Sequence, residues 1–368
     1  MPDKKVLLIA NSVYQLFTAV HLRLSILKDC HAEILLTDIT PQMKEDMPRL
    51  VGTKLFDRVL FGQIKDFNRQ YMQGNTQQIT DGYQNSEQLF RFALSDTLAK
   101  DYDAVYFANF DTFVRMLAYR LYEQPCRFIC YEDGFSSYVI NFLREDRAAI
   151  NRHPDGIKIK DKLECVMLYE PHLAMRQDGV PNVRLPKIDR NNERLRTVLN
   201  TIFDYQPPTR EVDFVFLEQS FRAEGIRTND IELMQICQQT VGAGRFAVKP
   251  HPRNTDNLPF QLGLTRKYPT KVPWELYLFN ADMRGKTIIT VCSNAALTGR
   301  IVFNMDINTV MLYPLFEGKV LWQEDAALFR YLKNFERQFA GRNYYAPKTL
   351  FELENILHYL GGHHERTS

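Results

Sequence analysis

Hydrophobic and polar positions along the chain follow two alternating rhythms. Short apolar, β-branched runs predict strands over Val6–Ala10, Glu33–Thr37, Arg58–Phe61, Ala104–Ala108 and Arg127–Tyr131. Between them, apolar residues recur at helical spacing over Tyr14–Leu27, Gln88–Ala99 and Phe113–Leu121. Strands alternating with helices predict a parallel sheet covered on both faces, with ligands at the carboxyl ends of its strands. The rhythm breaks at Gly62–Ser86, a polar, Gln/Asn-rich stretch that reads as an excursion or partly ordered loop. A second polar stretch, Arg144–Lys162, carries the turn signal Pro154-Asp155-Gly156. Pro207-Pro208, followed by Thr209-Arg210-Glu211, marks a boundary and divides the chain into residues 1–206 and 207–368. The alternation then restarts, with strands at Asp213–Leu217, Arg245–Val248, Thr287–Val291 and Thr309–Leu312. Helices follow at Asp230–Thr240, Glu324–Arg337 and Leu350–Leu360, and Gly361–Ser368 reads as a polar tail. Two similar α/β domains facing a cleft are the simplest architecture.

Composition narrows the class. A length of 368 residues suits two cores rather than one, and 45% hydrophobic with 24% charged residues excludes a mainly disordered chain. The formal charge of +2 argues against a nucleic-acid partner. The apolar start ends at Asn11-Ser12, too short for a secretory core or a span, and no other run is long enough to cross a membrane. Six scattered cysteines fit reduced, buried thiols and a cytoplasmic protein. Cys126 and Cys130 have no second pair to complete a zinc site, and His363-His364 is a metal signal of little specificity.

Three places join unusual chemistry to a predicted strand end. In Tyr131-Glu132-Asp133-Gly134-Phe135-Ser136-Ser137, adjacent carboxylates precede a glycine that permits a sharp turn. Asp133 or Ser136 capping the next helix explains the segment about equally well. In Lys249-Pro250-His251-Pro252-Arg253, two prolines fix the histidine's direction and the flanking cations suit an anion. In Cys292-Ser293-Asn294-Ala295, Ser293 or Asn294 opens a helix, where free amides and the dipole favour phosphate, or where either merely caps it. His153-Pro154 lies in a polar stretch, and local turn formation accounts for it. Asp101-Tyr102-Asp103 precedes a strand instead of following one, which fits turn carboxylates better than a metal–nucleotide site. Dinucleotide and P-loop glycine motifs are absent.

In their order and spacing, E-D-G, K-P-H-P-R and S-N-A resemble the bacterial sialyltransferases, and most closely glycosyltransferase family 52, the lipooligosaccharide sialyltransferases. The opening Ile9-Ala10-Asn11-Ser12-Val13-Tyr14-Gln15-Leu16 also resembles that family's first strand and turn. The resemblance implies a GT-B-like pair of Rossmann-like parallel-sheet domains. It implies inverting, metal-independent transfer of sialic acid from CMP-sialic acid to a galactose-type hydroxyl of a surface glycan, α-2,3 in linkage, with no cofactor. Carried over, it makes Asp133 the general base, and places His251, Lys249, Pro252 and Ser293 at the leaving phosphate. Asn294 stands where the family often has a second hydroxyl. Glu275 would bind the ribose, although a helix-start carboxylate is an equal reading. Asn11, Gln15 and Asn109 would contact acceptor or sialic acid. The expected partners are a nucleotide-sugar donor and a glycan acceptor, with peripheral contact at the inner face of the cytoplasmic membrane and a homodimer both left open. A relative using another nucleotide sugar, or a non-catalytic glycan- or nucleotide-binding module, are the alternatives.

Overall fold

A computed structural model describes residues 4–72, 74–141, 149–208, 211–318, 326–339 and 342–364. Thr209-Arg210, the first residues expected in the helix Glu324–Arg337, part of the polar stretch after Arg144 and the tail after His364 lie outside them. The chain forms two compact units, Met1–Asp204 and Tyr205–Ser368.

The first unit runs β1 (Lys5–Ala10), α1 (Val13–Leu24), β2 (His31–Thr37), α2 (Gln42–Gly52), β3 (Arg58–Gly62), α3 (Lys65–Met72), α4 (Thr76–Gln84) and α5 (Ser86–Ala93). It continues through β4 (Ala104–Phe107), α6 (Thr112–Arg120), β5 (Arg127–Tyr131), α7 (Phe135–Val139), α8 (Ala149–Arg152), α9 (Pro154–Lys158), β6 (Leu163–Leu168), β7 (Asn182–Arg184) and α10 (Glu193–Ile202). Seven parallel strands lie in the order β3-β2-β1-β4-β5-β6-β7. Val6–Ala10 are almost wholly buried, as a central strand covered on both faces requires, so no polar alternation marks them. The chain leaves β1 toward β2 and β3, and later returns to place β4 on the other side. The β1 and β4 loops therefore diverge at a switch point, where open α/β sheets bind ligands.

The second unit repeats the plan with β8 (Phe214–Leu217), α11 (Asp230–Val241), β9 (Phe246–Lys249), α12 (Leu258–Gln261), α13 (Trp274–Asn280), β10 (Thr287–Thr290), α14 (Ala295–Phe303), β11 (Asn308–Met311) and β12 (Tyr344–Tyr345). Its five parallel strands run β12-β11-β10-β8-β9, which puts the switch point between β8 and β10. Helices Ala326–Phe339 and Leu350–His364 complete it, the latter extending into the expected tail.

Several expectations need correction. Gly62–Ser86 is no loop: α3 and α4 fill most of it. Asn75 and Gln78 form a reciprocal capping box, and Tyr71, Ile79 and Tyr83 are buried, so a thin apolar stripe sufficed despite the polar composition. The next helix ends at Ala93 rather than Ala99, because Leu94 turns extended and bridges Gly62. His153 is not in an exposed turn. It caps α9, is 8% exposed, and hydrogen-bonds Thr80 Oγ1 through Nε2 at 2.9 Å. Pro154-Asp155-Gly156 is the first turn of that helix, and a Cβ at Gly156 would sit 2.1 Å from the Ile150 carbonyl oxygen. Strands β6, β7 and β12 were not expected.

Candidate active site

The sequence-selected residues of the first unit converge at its switch point. Ser12 caps α1, its Oγ accepting from the Gln15 N–H at 3.2 Å. Gln15 reaches back to accept the Asn11 N–H through Oε1 at 2.7 Å, and donates from Nε2 to Asn109 Oδ1 at 2.6 Å. Asn109, just past β4, donates from Nδ2 to Asp133 Oδ2 at 3.1 Å. Asn11 Nδ2 reaches Asn109 Oδ1 at 3.4 Å and Asp111 Oδ2 at 3.2 Å, while Asn11 Oδ1 accepts from Thr37 Oγ1 at 2.9 Å. The structure thus brings Asn11, Gln15, Asn109 and Asp133 together.

Asp133 follows β5 at its carboxyl end. Its N–H donates to Ser137 Oγ at 2.6 Å, and its carbonyl accepts from Ser136 Oγ at 2.9 Å. Gly134 takes φ 69° and ψ −149°, a conformation closed to side-chain-bearing residues, and thereby swings the chain into α7. Gly134 is also the N-cap, and no side chain caps α7, so helix capping does not explain Asp133. Burial pushes the Asp133 carboxyl above its ordinary range, opposed by hydrogen bonds from Asn109 and Gln15. Its neighbour Glu132 points the other way and is fully buried. It accepts from Tyr138 OH at 2.5 Å, the Tyr169 N–H at 2.9 Å and Tyr14 OH at 3.4 Å. Of the two residues, Glu132 is fully buried and Asp133 retains partial exposure.

Asp111 and Asn68 belong to this network and were missed in the sequence. Asp111 caps α6 through Oδ1, and its Oδ2 accepts from Asn68 Nδ2 at 3.1 Å. Asn68 lies on α3, and its Oδ1 accepts the Phe113 N–H at 2.8 Å. The signal available was the pair Asn109-x-Asp111 directly after an apolar strand.

In the second unit, consecutive residues after β8 hold two loops in place. Glu218 Oε2 accepts the His251 N–H at 2.9 Å, and Gln219 Oε1 accepts the Cys292 N–H at 2.7 Å. These polar residues at the end of an apolar strand were also overlooked. His251 Nδ1 accepts the Arg253 N–H at 3.2 Å, so the neutral ring carries its proton on Nε2. Desolvation, reinforced by Arg253 and Lys249 and opposed by Glu224, lowers its pKa to about 4. Pro252 is exposed on the turn beyond it. Ser293 Oγ accepts the Ala295 N–H at 3.3 Å. Asn294 is the N-cap of α14 without a side-chain cap bond, and its buried Oδ1 has no hydrogen-bond partner among the described residues.

Lys249 lies inside the unit rather than on a phosphate-facing surface. It is 7% exposed and donates to the carbonyls of Pro269 and Thr270, at 2.5 and 3.2 Å. Two of the three ammonium donors are thereby committed to the backbone. Glu275, in the first turn of α13, is 5% exposed. Burial lowers Lys249 to about 7 and raises Glu275 to about 7, each opposed by the other's charge. Asp101 and Asp103 sit at the amino ends of the strands, where they accept from Lys5 Nζ at 2.9 Å and the Lys5 N–H at 2.7 Å. Among the described residues, no group of three or more His, Cys, Asp or Glu side chains could hold a metal ion, and no helix is long and apolar enough to cross a membrane.

No protein-family model matches the chain, and no curated protein matches it in sequence. Solved structures do match in fold. Arabidopsis thaliana UGT89C1, complexed with UDP-L-rhamnose, has a TM-score of 0.55 at 12% identity, over 98% of this chain and 90% of its own. A glycosyltransferase from Rickettsia africae ESF-5 gives 0.52 at 8% identity, over 98% of this chain and 89% of its own. The glycotransferase of kitacinnamycin gives 0.51 at 11% identity, over 98% and 91%. With its two Rossmann-like parallel sheets, the chain has the GT-B-like α/β fold.

Proposed function

We propose that the protein is an inverting, metal-independent glycosyltransferase that moves sialic acid from CMP-sialic acid to a galactose-type hydroxyl of a surface glycan. The observation that carries the transferase reading is Asp133: a carboxylate at a strand's carboxyl end, unused as a cap and held by two carboxamides. Its raised proton affinity brings it toward the range of an effective general base. The acceptor hydroxyl proton passes to Asp133, and the acceptor oxygen bonds the anomeric carbon. The bond from that carbon to the phosphate oxygen breaks, its electron pair leaving with CMP. His251 donates a hydrogen bond from Nε2 to the departing phosphate, and a dianionic phosphate there draws the imidazole toward its protonated form. Ser293, Asn294 and the amino end of α14 add neutral donors to the phosphate, and Glu275 the ribose contact.

The donor rests on the order of E-D-G, K-P-H-P-R and S-N-A in the sequence. A UDP-sugar donor is the second reading, favoured by the UDP-L-rhamnose in UGT89C1. Incubation with CMP-sialic acid and lactose should yield sialyllactose and CMP, in chelator as well as without it. Stabilisation by UDP but not by CMP in a thermal-shift assay would overturn the sialyl reading.

A further inference from the structure

We infer that Asn109 is a positioning residue for Asp133, with its carboxamide locked by Gln15 and Asn11 so that only its amino group can face the carboxylate. The inference rests on the reading of Asp133 as base. An asparagine side chain can present either its oxygen or its nitrogen, and the partners decide which. Here Asn109 Oδ1 accepts from Gln15 Nε2 at 2.6 Å and from Asn11 Nδ2 at 3.4 Å. Both donors are fixed in turn. Gln15 is 2% exposed with Oε1 spent on the Asn11 N–H, and Asn11 is 5% exposed with Nδ2 also turned to Asp111 Oδ2 at 3.2 Å, which sets the end of its carboxamide that faces Asn109. A flipped Asn109 would set its amino group against two other amino groups and its oxygen against Asp133. The flip is closed, and Nδ2 stays 3.1 Å from Asp133 Oδ2.

Two effects follow for Asp133. The carboxylate is held in one orientation by a group on a neighbouring strand end, and its ionised form is stabilised by a donor that loses strength when the acid protonates. Asn109 was expected to touch substrate. Its oxygen is instead committed to the scaffold, and its amino group serves the base.

The test uses two variants of the full chain, with the Asp133 carboxyl followed by carbon-13 NMR titration and the pH–rate profile measured with CMP-sialic acid and lactose. Asn109→Leu removes the donor. It should raise the Asp133 titration and the acidic limb of kcat/KM together by about one pH unit, and lower kcat about tenfold with KM within about twofold. Asn109→Asp is isosteric and sets a carboxylate against Asp133. It should make Asp133 titrate in two steps more than about one unit apart. An unmoved titration in the first variant, or a single step in the second, overturns the inference. Should Asn109→Leu fail to fold, the isosteric variant carries the test. Failure of the transferase reading would appear separately, as wild-type protein that turns over no nucleotide sugar, and the titrations need no turnover.

Discussion

Glu132→Gln separates the two adjacent carboxylates by the pH dependence of stability. Glu132 is 0% exposed and is held by two tyrosine hydroxyls and a backbone N–H. Burial outweighs those hydrogen bonds and raises its pKa from 4.5 to about 7. Because the folded value lies above the unfolded one, the stability contribution is complete below pH 4.5 and is lost as the pH rises through 7. At about 1.4 kcal/mol per pH unit, the gap corresponds to about 3 kcal/mol, of which about 2–3 kcal/mol falls between pH 5 and 8. Glutamine stays neutral throughout. Its oxygen can accept from Tyr138 and Tyr169 as Glu132 Oε2 does, and the Tyr14 hydroxyl can rotate to accept from its amino group. Urea denaturation of both proteins at pH 5, 6, 7 and 8 should show the variant gaining on the wild type by about 2–3 kcal/mol across the series. A difference that does not change with pH would refute the reasoning, because it would mean that Glu132 titrates alike in the folded and unfolded chains.

Asp133→Asn should leave stability within about 1 kcal/mol and lower transfer about 10²–10⁴-fold, with the CMP-induced thermal shift retained. Comparable loss of CMP binding would count against its role as base. His251→Ala should depress turnover and weaken CMP binding together, read by kinetics and calorimetry; a change in KM alone would leave no role at the leaving group. Gly156→Ala should destabilise the first unit by about 1–3 kcal/mol in thermal or chemical denaturation, since its Cβ would meet the Ile150 carbonyl oxygen at 2.1 Å.

Apart from the half-exposed edge strand β3, the strands found in the sequence were those whose residues are mostly buried on both faces, because burial in a parallel sheet leaves a nearly uninterrupted apolar run. Val6–Ala10 and Arg127–Tyr131 are of this kind. Those overlooked lack that signature. Glu164 interrupts β6 behind the charges of Lys160–Lys162, Asn182–Arg184 is exposed throughout, and β12 has two residues. Helices α3 and α4 were hidden because a capping box and a few buried rings stabilise them without an apolar-rich composition.

At the site, the sequence by itself determined which residue types stand at strand ends: Asn11, Asn109, Asp133, His251 and Ser293 each follow a predicted apolar run. Periodicity places them there whatever the order of the strands. The tertiary structure alone decided their company. Gln15 and Asn109 meet across 94 residues because β4 pairs with β1, an ordering that no local pattern encodes. It also turned Glu132 toward Tyr138 and Tyr169 and Asp133 toward Asn109, and directed the Lys249 ammonium to carbonyls inside its unit. Side-chain direction at a strand's end depends on which atoms are near enough to bond, and those atoms come from distant parts of the chain.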